Sequence, residues 1–335
     1  SANADECGIE KAEERIGGIM TGKFTFTAKT YPKCDDYLRI RWNGEEYKKL
    51  EDFIKTHVSA TESELDACMI QYRGVEKTYK EFIDDYATYA DGMKFIEFCP
   101  FKLIMNQSIK ASLYFMEKTL DCMQTARFFA MKSKLILDTD FNMHWSQGYI
   151  PQYLFRCTYF GTAATWYSNT FDQLLQSVYW AYKLYTSASD RDGNTYTNEW
   201  DVKKIMTFCT YEFVVGELKK RGQTDVRKLL TACSGKIEEV RLWANYIKHK
   251  GGVDYKDSQA EDPFEIYIMP IGTTPESDKP DERFLIENFK SPVEIDIDEK
   301  SEVMSNVHSA LYDCITKVIE TIDYDSYKLQ FGGTN

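Results

Sequence analysis

The sequence predicts a mainly α protein: a helical bundle with a small β-hairpin insertion before its last helix and an irregular N-terminal cap. Three observations lead there. Apolar residues recur at helical spacing through most of the chain beyond Thr61. The segment "IPQYLFRCTYFGTAATWYSNTFDQLLQSVYWAYKLYT" is apolar on almost every side, as a helix surrounded by other helices must be. From Val253 to Asp298 the composition changes to β-branched and aromatic residues, punctuated by Pro263, Pro270, Pro275, Pro280 and Pro292. With 335 residues, 43% of them hydrophobic and 15% aromatic, the chain can bury a sizeable core.

Taken in order, Ala4 to Met20 carry helix formers with a Glu/Lys-rich face, and "TGKFTFTAKTYPKC" then alternates like a short strand. Asn43-Gly44 follows another alternating run and predicts a type I′ hairpin near residues 37–47, leading towards a helix. Thr61 to Phe98, and the segment after Pro100 through "FKLIMNQSIKASLYFMEKTLDCMQTARFFAMKSKLIL", read as two long antiparallel helices. The Met and Phe stripe of the second is core rather than a cofactor box.

"DTDFNMHWSQG", Asp138 to Gly148, breaks the pattern and suggests two domains, 1–145 and 146–335. In the second, the all-round apolar helix is followed by the loop "SASDRDGNTYTNEWD", with Thr197 or Asn198 capping a helix to about Arg221. Thr224 or Asp225 caps the next, which stops at Gly251-Gly252. "PFEIYIMPIG" and "ERFLIENFKSPVEIDID" suggest a strand pair within 253–298, and "EKSEVMSNVHSALYDCITKVIETI" a closing helix.

A net charge of −12 gives no general attraction to phosphate backbones, so any nucleic-acid contact needs a local basic patch. The nine cysteines are far apart, odd in number and set in apolar runs, the pattern of free buried thiols in a reducing compartment. No stretch has the length of a membrane span and no leader is visible, which favours the cytoplasm. His57, His144 and His308 are isolated, so neither a metal nor another cofactor is expected. Phosphate-loop and serine-elbow contexts are missing as well.

One stretch carries chemistry: "RLWANYIKHKGG", Arg241 to Gly252. On a helix Arg241, Asn245 and His249 fall at i, i+4 and i+8, while Val240, Trp243 and Ile247 form a core stripe on the other side. The polar stripe offers a guanidinium to hold phosphate, an amide to orient and an imidazole to transfer a proton. Metal-independent RNA cleavage needs little more. Lys248 and Lys250 would add binding charge, and these last-turn cations also suit the helix dipole. Asn169, Asp172 and Gln176, at helical spacing on the long helix, line a groove opposite His249 or satisfy one another inside the bundle.

"NYIKHKGG" at a helix end, together with the upstream helix "ATWYSNTFDQLLQSVYWAYKL", resembles the HEPN superfamily, all-helical prokaryotic domains that include RNases of toxin, abortive-infection and CRISPR systems. The resemblance covers roughly Pro151 to Asp323. It implies that Asn245 and His249 match an Arg-Asn-x-x-x-His pattern whose arginine is here Ala244. It further implies a homodimer with a composite site, RNA or a nucleotide as ligand, and an antitoxin or other protein partner. With Ala244 in the arginine's place the expected cleavage is weak or absent, and Ala244→Arg is expected to strengthen phosphate binding. The alternative is a non-catalytic protein–protein interaction module built on a degenerate HEPN bundle.

Overall fold

The computed structural model describes residues 38–47, 60–100, 104, 106–137, 150–189, 193–195, 201–249, 253–256 and 293–327. The expected helix at 4–20, the strand that follows it, the 138–148 break and most of the 253–298 insert lie outside them. The fold is mainly α, with nine α-helices among the described residues and a small sheet.

Strands β1 (Leu38–Trp42), β2 (Glu45–Tyr47), β3 (Met69–Tyr72) and β4 (Val75–Thr78) form an antiparallel sheet in the order β2-β1-β3-β4. The Asn43-Gly44 turn is as expected, with φ of 50° and 81°, both positive as a type I′ turn demands. The second hairpin corrects the sequence reading of a continuous helix from Thr61 to Phe98. Its turn, Arg73-Gly74, has φ of 48° and 79°, so an arginine occupies the left-handed region that usually advertises itself with Asn or Gly. Helix α1 (Glu62–Asp66) precedes β3 and α2 (Tyr79–Gly92) follows β4. Each starts in a capping box, Thr61 with Glu64 and Thr78 with Glu81, which satisfies two end donors reciprocally. Leu38, Ile40, Trp42, Ile70 and Tyr72 alternate into a small core shared with Leu137.

The bundle is built on α3 (Gln107–Lys134) and α4 (Ile150–Ala181). Contacts of Ser112 with Ser177 and of Arg156 with the Ser133 carbonyl set these two antiparallel. Helices α5 (Val202–Met206) and α6 (Tyr211–Lys220) replace the single helix expected up to Arg221. The interruption is fixed by Thr210, whose side chain accepts from the Phe213 amide and restarts the helix. Similarly, α7 (Thr224–Lys236) and α8 (Glu238–His249) are separated at Ile237, which is buried. Neither Thr224 nor Asp225 is the cap: α7 begins after Gln223, without a side-chain cap bond. A closing helix, α9 (Ile297–Ile322), runs back along α3 and α7. As its all-round apolarity requires, α4 is the central helix, packed against α3, α6, α8 and α9.

The insert before α9 enters and leaves through β5 (Asp254–Tyr255) and β6 (Glu294–Ile295). They pair in parallel, and the strand pair expected within the insert lies mostly outside the described residues. One buried cluster runs from Met93 and α3 through α4 to Tyr324, because α3 supplies the surface that α4 needs in order to bury its own. The small sheet is the separate cluster.

His308, isolated in sequence, is buried in α9 with Nε2 2.9 Å from the Lys94 carbonyl and Nδ1 3.1 Å from the Tyr167 hydroxyl. A carbonyl only accepts, so the proton sits on Nε2 and Nδ1 accepts from Tyr167. Burial pushes its pKa down from 6.5 to about 4. The unfolded chain therefore takes up the proton first, and stability falls as pH drops from about 6.5 towards about 4, by roughly 3 kcal/mol in all. Urea midpoints between pH 7 and 4.5 should fall accordingly for the natural chain. They should fall clearly less for His308→Gln, whatever its stability at pH 7; equal slopes would mean that the imidazole is already solvated.

Candidate functional site

Helix α8 opens with Glu238 and Glu239 and closes with Lys248 and His249, charges of the sign each end of the dipole favours. Val240, Trp243 and Ala244 are buried. Trp243 packs on Phe160 of α4 with ring centroids 5.4 Å apart. Ile247 is half-buried and comes close to Gly161: a Cβ built on that glycine would lie 3.3 Å from Ile247 Cδ1 and 3.0 Å from the Tyr255 hydroxyl. The bare backbone at Gly161 thus lets α8 and β5 both settle on α4.

The predicted polar stripe separates into two sets. The first faces α4. The Arg241 guanidinium lies over the Phe171 ring, 5.4 Å from its centroid, and 3.9 Å from the Asp172 carboxylate. Lys248 Nζ donates to Asn169 Oδ1 at 2.7 Å. Burial raises the pKa of Asp172, opposed by the charges of Arg241 and Lys248. Gln176 is half-buried and has no hydrogen-bond partner among the described residues.

The second set faces outward. Asn245 and His249, one turn apart, are exposed and make no hydrogen bond within the described residues. Leu242, 46% exposed, lies on the same face. Lys250 lies outside the described residues. Ala244, at the position where the Arg-Asn-x-x-x-His pattern has its arginine, is 0% exposed and belongs to the packed side. The expectation that Ala244→Arg would present a guanidinium to phosphate is therefore overturned: its side chain would enter the α4 interface.

A charged cluster that the sequence reading gave no role joins the sheet to the bundle. Arg156 of α4, 2% exposed, donates from Nε to the Ser133 carbonyl at 2.8 Å, from Nη1 to the Tyr72 hydroxyl at 2.6 Å, and from Nη2 to Asp298 at 2.6 Å. Arg73 at the tip of the second hairpin reaches Asp296 at 2.9 Å and Asp298 at 3.0 Å. Asp296 also caps α9 by accepting from the Asp298 and Glu299 amides. The available signal was the lone charge within "YLFRCTYF", since an arginine on an apolar helix must find a partner.

The described residues hold no group of three or more His, Cys, Asp and Glu placed to bind a metal, and none of their helices is long and apolar enough to cross a membrane. Their seven cysteines are free thiols, and Cys68, Cys122, Cys157, Cys233 and Cys314 are buried. No family model matches the chain, and no curated protein or solved structure is found similar to it.

Proposed function

We propose that this chain is an HEPN-like protein of the defence or toxin kind that binds RNA or a nucleotide at the end of α8 and cuts RNA weakly or not at all. The observation that carries the reading is the outward pair Asn245 and His249, exposed and unpartnered among the described residues, with the exposed Lys248 in the same last turn and its ammonium on Asn169 of α4. An imidazole and an amide left to solvent one turn apart can meet a phosphate and a ribose hydroxyl without breaking any bond of the fold. Poor catalysis follows from where the cation is. Arg241 and His249 are separated by about 12 Å along the helix axis, and the Arg241 guanidinium is directed onto Phe171 and Asp172. A second copy could complete the site with its own outward face, and the free buried thiols suit a cytoplasmic setting.

The test is fluorescence anisotropy with a labelled oligoribonucleotide at low salt. Lys248→Ala and His249→Ala should each weaken binding about tenfold, near 1.4 kcal/mol, and the salt slope should fall by about one for the lysine. Neither should change the melting temperature noticeably, because exposed helix-end changes cost little. Unchanged affinity in both variants would move the site elsewhere. If the natural chain binds no RNA, the protein-interaction module becomes the better account. Its supporting observation is Leu242, an exposed apolar residue on the same face and a fitting anchor for a partner.

A further inference from the structure

A cavity of about 320 Å³ opens between the β3–β4 hairpin, α2 and the C-terminal end of α3, well separated in sequence from α8 and independent of the reading given to it. Its volume lies at the small end of ligand sites, roughly 300–1,000 Å³. Phe82, Tyr86 and Ile136 are among the side chains that wall it. Val75 and Ile83, also in its wall, stay 54% and 37% exposed. Large apolar side chains left to water around a concave surface mark a place where something apolar binds.

The charges decide what kind of ligand. Five charged residues line the cavity: Arg73, Lys77, Lys134, Asp85 and Asp298. Arg73 is engaged by Asp296 and Asp298, Lys77 by Asp85 at 2.9 Å, and Asp298 also by Arg156. Lys134 differs. Its ammonium has the Ser301 hydroxyl at 3.3 Å and the Tyr89 ring at 5.7 Å, and no carboxylate lies within ion-pair distance of it among the described residues. Burial pushes its pKa down, partly offset by the charge of Asp298. With Asp298 and Asp85 acting on it only from beyond ion-pair distance, this desolvated ammonium keeps donors open to an anion. One such cation suits a monoanion, since a phosphate dianion would have to break the ion pairs of Arg73 or Lys77.

We infer that this cavity is a binding site for a small monocarboxylate with an apolar or aromatic body, the carboxylate resting on Lys134 and the body against Phe82, Ile83 and Tyr86. The ligand would thereby sit where the sheet meets the bundle, beside the Arg156–Asp298 joint.

Isothermal titration of the full chain with 1-naphthoate and with the neutral 1-naphthalenemethanol tests this. The acid should bind with one-to-one stoichiometry and at least tenfold more tightly than the alcohol. Lys134→Met should erase that preference, Lys134→Arg should keep it, and Ile83→Trp, which narrows the mouth, should weaken both ligands. Absence of acid binding to the natural chain, equal binding of acid and alcohol, or an acid affinity indifferent to Lys134→Met would each overturn the assignment. The acid–alcohol comparison on the natural chain decides even if a variant fails to fold.

Discussion

Asp298→Ala is expected to destabilise the chain by about 3 kcal/mol, the lower end of the range for breaking a buried ion pair. The substitution withdraws the carboxylate that Arg156 meets at 2.6 Å while the guanidinium stays 2% exposed. It also takes away the acceptor of the Tyr72 hydroxyl and one of the two carboxylates on Arg73. Asp298 keeps 28% of its side-chain exposure, so water can enter and hold the loss to the lower figure. Urea unfolding followed by circular dichroism gives the number. The double variant Arg156→Met with Asp298→Ala should lose less than the sum of the two single changes, because the charge that suffers is then absent. A loss under about 1 kcal/mol for Asp298→Ala would mean a solvated surface pair.

Acid should act on the same joint. Burial alone would raise the pKa of Asp298, but the charge of Arg156, with hydrogen bonds from Tyr72 and Arg156, outweighs it and the net shift is downward. Asp296 is lowered in the same sense, Arg73 overcoming burial. A carboxylate whose folded pKa lies below its unfolded value near 3.8 lends stability above that value and loses it as pH falls through the folded pKa. The sheet should therefore loosen from the bundle below about pH 4, a window beneath the one in which His308 acts.

These joints show where sequence reasoning stopped. Periodicity was sufficient for α3, α4 and α9, since each buries a long stripe whose spacing is visible without its neighbours. Asn43-Gly44 announced its own turn. Arg73-Gly74 did not, because Arg73 adopts the left-handed region under tertiary control, its guanidinium tied to Asp296 and Asp298 more than two hundred residues on. Without that turn, Tyr72, Val75, Tyr79, Phe82 and Tyr86 recur at spacings of three and four, a helical pattern that hides two strands. The division before Thr210 carries no glycine or proline, and the one at Ile237 has only Gly235, which sits inside the last turn of α7. They are set by which side chains the bundle buries.

The candidate site was legible to the same depth. Sequence placed Arg241, Asn245 and His249 along one strip of α8. Only the packing of α8 on α4 brings Arg241 to Asp172 and Lys248 to Asn169 and leaves Asn245 and His249 without a partner among the described residues. A strip three side chains long spans too much of a helix surface for all of it to face one way once a neighbouring helix is present.

Ala244→Arg is the sharpest check on that packing, and its expected outcome is loss of roughly 4 kcal/mol or more, enough to unfold a protein of ordinary stability. Ala244 is 0% exposed between the buried Val240 and Trp243. On the facing helix, Gly161, Ala163 and Ala164 are small and buried, so the two backbones approach closely. A long side chain there overpacks the interface, at about 1–3 kcal/mol, and takes a charge out of water, which adds several kcal/mol more. Leu242→Arg makes the contrast: that position is 46% exposed and shares the outward face with Asn245 and His249. The arginine there should change stability by no more than about 0.5 kcal/mol and should tighten oligoribonucleotide binding several-fold by adding a phosphate contact. Thermal melts and anisotropy on the two variants separate the possibilities. A stable Ala244→Arg chain with tighter RNA binding would mean that α8 turns a different face to α4, and the outward pair would have to be reassigned.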